Sequence, residues 1–201
     1  RPPTMFVDLH IHSYFSDGAQ TPEQAALLCR DSGVGLAALC DHNSWLGCER
    51  FAAACRELGV LSIRGAEFDC HREGRHLHIL GYGFTPTPQL AAIAHRSREL
   101  LLQMSIDLIE RMAADYPQLD AGEYRDFQYN PLLGGWAGLH YLHQKGITHT
   151  VSEGMPLYAR YGLDYSTYPF PDAGEVIAAI GAAGGTAVLA HPGNYFSGME
   201  L

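Results

Sequence analysis

Positions 5–12 read MFVDLHIH, with apolar and polar residues in alternation. That two-residue period is the mark of a β-strand, and it sets Asp8, His10 and His12 on one face. Positions 34–40 form an apolar run ending in Asp41-His42-Asn43, which predicts a buried strand with polar residues at its C-terminal end. A short third strand is predicted over 60–64, followed by Gly65-Ala66-Glu67, and a fourth over 76–82. A fifth covers 186–190 and ends in His191-Pro192-Gly193. Between the strands lie helical segments. Thr21-Pro22-Glu23 has the cap and first-turn proline of a helix start, and Gly33 its stop. Positions 46–58, stopped by Gly59, and 172–183, stopped by Gly184-Gly185, are further helices.

Strand, polar tip, helix and strand again predict a parallel α/β fold, which in its barrel form gathers an active site at the C-terminal strand ends. Positions 85–171 break this rhythm. They hold a long helical stretch over 89–116, another helix over 134–144, and Tyr-, Pro- and Gly-rich segments between. The expected organisation is a barrel made of 1–84 and 172–201, with 85–171 as a mostly helical insertion beside its mouth.

Composition narrows the function. With 201 residues, 47% of them hydrophobic, the chain can build a real core. Its formal net charge is -9, and Lys145 is the only lysine. Such a chain has no broad basic surface for duplex nucleic acid, so attraction for a phosphate must be local. Cys29, Cys40, Cys48, Cys55 and Cys70 are odd in number and include no CxxC pair, which reads as buried thiols in a reducing cytoplasm. No secretory pattern or membrane-length apolar run is present.

The eleven histidines carry the chemistry. His10 and His12 present two imidazoles on one strand face, where they can chelate an ion. Asp17 adds a carboxylate in the next loop, or simply forms the Asp17-Gly18 turn. Asp41-His42 ends the second strand. Glu67 follows an apolar run, where a buried carboxylate needs a partner and can bridge two ions. His76 and His78 share a strand face, so either or both can point inward. His191 ends the fifth strand. Mixed nitrogen and oxygen donors from several strand ends suit zinc, manganese or iron.

The segments DLHIHSYFSDG, LCDHN, GAEF, HLHILGYGF and AGGTAVLAHPG, in this order, resemble the PHP (polymerase and histidinol phosphatase) family of metal-dependent phosphoesterases. The likeness is to its stand-alone bacterial branch, which includes nucleotide phosphatases and an exoribonuclease. It implies a distorted (β/α)7 barrel and three divalent ions (Mn, Fe or Zn) held by His10, His12, Asp17, His42, Glu67, His78 and His191. Glu67 would bridge, and Asp41 would support His42. It also implies hydrolysis of a phosphomonoester, small nucleotide or short oligonucleotide by a metal-activated hydroxide, with His10, His12, Asp17, Glu67 and His191 central to catalysis. Arg96 and Arg98, at the start of the long helix, would clamp phosphate. Trp136, Tyr158 and Tyr161 would stack a base or sugar.

The chain departs from the family pattern twice. A late Asp-x-His pair is expected beyond Leu201, so the barrel is expected to be incomplete at its C-terminus. Gly134-Gly135-Trp136-Ala137-Gly138-Leu139-His140 stands where nucleotide-acting relatives often carry Arg-Pro-His. Two other readings remain at this level: a degenerate PHP module that binds metal or a partner without catalysis, and an amidohydrolase-like hydrolase. The latter often bridges its metals with a modified lysine, and Lys145 sits at a predicted helix end instead.

Overall fold

The computed structural model describes residues 5–196. Residues 197–201, including the Leu201 beyond which the Asp-x-His pair is expected, lie outside them. Five strands form one sheet in sequence order: β1 (Phe6–Ile11), β2 (Val34–Leu39), β3 (Leu61–Arg72), β4 (Arg75–Tyr82) and β5 (Thr186–Leu189).

β1, β2 and β3 pair in parallel, as their connecting helices predict. α1 (Pro22–Asp31) starts with a capping box between Thr21 and Gln24, and α2 (Cys48–Leu58) stops where Gly59 turns left-handed. Both helices cover the outer sheet face, burying Ala25, Ala26, Phe51 and Cys55 against Ala37 and Leu39.

Two expectations are corrected here. The third strand does not end at Arg64: it continues through Glu67 to Arg72, so Glu67 lies within a strand and not after one. The sheet is also not wholly parallel, because β3 folds back onto β4 as an antiparallel hairpin and β4 pairs antiparallel with β5. The cause is local. Glu73 (φ 50°) and Gly74 (φ 73°) form a two-residue turn, both left-handed, as tight hairpins require. So short a link cannot make the crossover that parallel neighbours need.

The sheet curls. β1 and β5 are opposite edges of the strand order, yet the rings of His10 and His191 are stacked 5.8 Å apart. From β4, the Tyr82 hydroxyl donates to the Leu9 carbonyl of β1 at 2.7 Å. A small apolar layer of Ala38, Cys40, Leu80 and Ala190 fills the concave side below the histidines.

The helix α3 (Pro88–Met112) serves two cores. Its first half, with Leu90, Ile93 and Ala94, packs with β3, β4 and α7 (Ala173–Ala182). Its second half joins Tyr124, Tyr141, Leu142 and Leu163 in a separate cluster. That cluster also involves α4 (Ala121–Arg125), α5 (Ala137–Gln144) and α6 (Met155–Arg160). Among the described residues no helix is long and apolar enough to cross a membrane.

Candidate metal centre

Glu67 is the hub. Its side chain is 1% exposed and its two oxygens face different histidines. Oε2 lies 3.0 Å from His10 Nε2, 3.3 Å from His12 Nε2 and 3.3 Å from His42 Nε2, all from the β1 and β2 ends. Oε1 lies 2.8 Å from His78 Nδ1 and 3.0 Å from His191 Nε2, from β4 and the end of β5. One buried carboxylate therefore joins two sets of imidazoles from the two sides of the curled sheet.

Asp17 extends the first set, with Oδ1 3.2 Å from His12 Nδ1. Asp69 extends the second. It is 2% exposed, and its carboxylate lies 3.1 Å from His78 Nε2, 3.0 Å from His76 Nε2 and 3.5 Å from His42 Nδ1. The structure thus gathers all seven ligands expected from the sequence and adds Asp69. Asp69 was missed because β3 runs further than expected: on the extended strand it is two residues past Glu67 and on the same face.

Asp41 is differently employed than expected. Its carboxylate accepts from the Ser13 N–H, the Ser13 hydroxyl and the Ser16 hydroxyl, each at 2.7 Å, and so fastens the loop that carries Asp17. His42 is steered instead by backbone pairing: Glu67 N–H donates to Asp41 O at 3.1 Å and Asn43 N–H to Glu67 O at 2.7 Å. Two non-glycine residues at the site, Asn43 (φ 48°) and His191 (φ 27°), hold left-handed backbone, a cost that clusters at functional sites.

The electrostatics are those of a site built for cations. Burial opposes ionisation of Glu67, but hydrogen bonds from His10, His12 and His78 hold its pKa well below the usual range. Burial likewise opposes charge on Asp69, and His42, His76 and His78 overcome it. Burial would lower His12 and His78, yet the carboxylates beside them push His12 up to about 9 and His78 up to about 10. Protons on imidazoles thus balance the buried carboxylates, a role divalent cations can take over.

The donors fit such ions. Four triplets have ligand atoms within 4.8 Å of one another: His10, His12 and Glu67; His12, Asp17 and His42; His42, Asp69 and His78; Glu67, His78 and His191. Ligands sharing one ion with bonds of about 2.0–2.2 Å stand about 3–3.5 Å apart, the spacing seen around Glu67. The Nδ1 atoms of His42 and His191 are buried without a hydrogen-bond partner. His42 Nδ1 is within ion-pair range of Asp69, but its geometry makes no hydrogen bond. An unpaired buried nitrogen beside a carboxylate suits a cation shared between the two.

The arginines lie elsewhere. Arg96 pairs with Glu175 of α7 at 2.8 Å on the exposed side of α3. Arg98 donates to the Asn43 carbonyl, behind the ligand residues. Trp136 faces the centre, its ring 5.3 Å from that of His42, and Tyr158 borders the same space, while Tyr161 bonds to Asp115. Lys145 donates to Glu123 at 2.6 Å, so the only lysine is not a bridge in this cluster.

The PHP domain model matches residues 8–140. The chain is 30% identical over 199 residues to a 3′,5′-nucleoside bisphosphate phosphatase of Chromobacterium violaceum, covering 97% of this chain and 70% of that protein. It is 29% identical over 191 residues to a 5′-3′ exoribonuclease of Haemophilus influenzae, covering 94% and 69%. Among solved structures, a protein assigned as a metal-dependent phosphoesterase from Bifidobacterium adolescentis superposes with a TM-score of 0.76 at 26% identity, covering 96% of this chain and 69% of the other.

Proposed function

The chain belongs to the PHP domain family, and from that premise we propose that it is a metal-dependent hydrolase of phosphate esters. The observation that carries the reading is the buried Glu67 carboxylate, with one oxygen facing His10, His12 and His42 and the other facing His78 and His191. We assign Glu67 as the bridging ligand of up to three divalent ions (Mn, Fe or Zn), with His10, His12, Asp17, His42, His78 and His191 as further ligands. Asp69 joins them beside His42 and His78. The expected distorted barrel, with 85–171 as its insertion, is the frame we propose for this site.

When bound, such ions lower the pKa of water and neutralise phosphoryl charge. The residues themselves do the rest. Glu67 and Asp69 stay ionised despite burial and hold the imidazoles in place. Asp41 keeps the Asp17 loop on the rim through Ser13 and Ser16. The Trp136 ring covers His42 and limits water on that side. Small phosphorylated molecules, nucleotides or short oligonucleotides are the proposed substrates, in keeping with the relatives' names.

The test is to strip the protein with chelator, reload it with manganese, and assay phosphate or nucleotide release from phosphomonoesters and a 5′-phosphorylated oligonucleotide. Metal-dependent release is expected. Absence of release from a broad panel under manganese, iron and zinc would overturn the proposal.

A further inference from the structure

Beside His42, Asp69 and His78 opens a cavity of about 230 Å³. Those three residues form one wall. The others come from the helices of 85–171: Leu101 and Met104 of α3, Trp136 and Leu139 at the start of α5, Met155 and Tyr158 of α6. Among the described residues no arginine or lysine lines it, and Asp69 is its one carboxylate. Of its three hydroxyl side chains, two satisfy each other, Ser105 Oγ and Tyr158 Oη at 2.8 Å, and the third, Tyr165, stacks its ring on His76. Burial pushes the Tyr158 phenol up to about 12, so it stays neutral.

This is an unusual wall for an enzyme of polyanions. A phosphate placed against leucine, methionine and tryptophan loses its hydration and gains no cation. A planar uncharged ring, by contrast, fills an apolar and aromatic space at little cost. Trp136 is placed to select it, because its ring borders both the cavity and His42. The backbone before it is built for that placement: Gly134 (φ 69°) and Gly135 (φ 73°) are both left-handed, and Gly135 N–H is anchored on Asp17 O at 2.8 Å.

We propose that this cavity is the subsite for the non-reacting part of the substrate, that it takes an aromatic ring and rejects a second phosphate, and that Trp136 sets this preference. The substrate class is then a phosphomonoester with one phosphoryl group on a carrier bearing a flat, uncharged ring, either a nucleobase or a simple aryl group. This rests on the hydrolase reading above for where the phosphoryl group sits.

The test compares kcat/KM of the manganese-loaded protein for benzyl phosphate, ethyl phosphate, adenosine 5′-monophosphate and adenosine 3′,5′-bisphosphate. Benzyl and ethyl phosphate have similar leaving alcohols, so their ratio reports the ring. A preference of about tenfold or more for benzyl phosphate is expected, and a similar factor for the nucleoside monophosphate over the bisphosphate. Trp136→Ala should cut the benzyl-to-ethyl ratio about tenfold, chiefly through KM. Met155→Arg, on an exposed residue, should narrow the monophosphate preference by supplying a cation. Comparing benzyl with adenosine monophosphate separates the two ring types. A binding measurement stands apart from turnover: benzylphosphonate should quench the tryptophan fluorescence of the metal-loaded protein and fail to do so in Trp136→Phe, which keeps Trp45. Hydrolysis without ring preference, or better hydrolysis of the bisphosphate, overturns the subsite alone. Hydrolysis of none of the esters overturns the parent reading, and the fluorescence titration then decides the ring site.

Discussion

Asn43 and Asp69 hold each other by a reciprocal pair of hydrogen bonds: the Asn43 amide donates to Asp69 Oδ2 at 2.5 Å, and Asp69 N–H donates to Asn43 Oδ1 at 3.1 Å. Both residues are buried, and the pair fixes the carboxylate that faces His42, His76 and His78. Asn43→Ala removes both bonds and leaves Asp69 short of a partner. The expected loss is about 1–3 kcal/mol of stability, the cost of an unmet buried polar group. Metal affinity should fall about 10- to 100-fold, as it does when residues supporting ligands are removed. Urea titration and competition with a chromophoric chelator measure the two effects, and an unchanged affinity would show that Asp69 needs no such support.

Glu67→Gln keeps the shape of the hub and removes its charge. Both sets of histidines lose their common partner, so the bound metal content should drop by more than one ion per chain. Ions that bind only the folded protein stabilise it by about 2.7 kcal/mol at a hundredfold excess over Kd. The wild-type melting temperature should therefore rise on adding manganese and fall with chelator, while that of Glu67→Gln should respond little to either. Metal analysis and thermal melts read this without any assay of activity.

How the site could be read from the sequence follows from where polarity breaks an apolar run. His42 and His191 close such runs, and His10 and His12 sit on an alternating strand, so strand ends and candidate ligands were legible together. Asp69 was not, because β3 is buried on both faces from Gly65 to Cys70, which erases the alternation that marks a strand. The hairpin direction was hidden for the same reason, although Glu73-Gly74 carried the turn signal. Of the cavity only Trp136 and Tyr158 were named from the sequence, because Leu101, Trp136 and Tyr158 meet only through tertiary packing of three helices that share no local pattern.

Arg96 and Arg98 are separable by substitution. Arg96 and Glu175 form an exposed pair, which is worth about 0–1 kcal/mol, so Arg96→Ala should change stability little. Arg98→Ala frees the carbonyl of Asn43 and should weaken metal binding with the Asn43–Asp69 pair. If either side chain clamps phosphate, its loss should raise KM at unchanged metal affinity. The ratio of the two effects, from kinetics and chelator competition, distinguishes clamp from support.

Cys29 and Cys55 are buried between α1, α2 and β2. Burial, reinforced by the Asp8 charge, raises the Cys29 thiol, and burial with Cys29 nearby pushes Cys55 up to about 11. Both folded values lie above the unfolded thiol value of about 8.5, so the neutral thiols' contribution is intact below that pH. It is lost as pH rises from there through about 11, where the unfolded chain ionises first. Neither thiol should react with a disulfide reagent at pH 8 until the protein is unfolded, and stability should decline between pH 9 and 11 less steeply in Cys55→Ala than in wild type. Rapid labelling of either cysteine in the folded protein would contradict the packing of α2.

Gly134 joins the helical region to the metal rim. A Cβ there would stand 3.1 Å from Asp17 O and 3.3 Å from Ala19 Cβ, on a backbone at φ 69°. The adjoining turn is clamped from the other side by His140 Nε2, 2.7 Å from Gly134 O, and by the Tyr129 hydroxyl, which donates to Gly135 O at 3.0 Å. Gly134→Ala therefore meets both a left-handed penalty of about 1–2 kcal/mol and a contact with the backbone that carries Asp17. The turn cannot retreat without breaking the His140 and Tyr129 contacts, so the strain should pass to Asp17. The expected outcome is a melting temperature lower by several degrees and a weaker metal affinity, whereas Gly146→Ala, at φ 72° with open space around it, should show the backbone penalty alone. Equal metal affinities in the two variants would mean that the docked turn does not position Asp17.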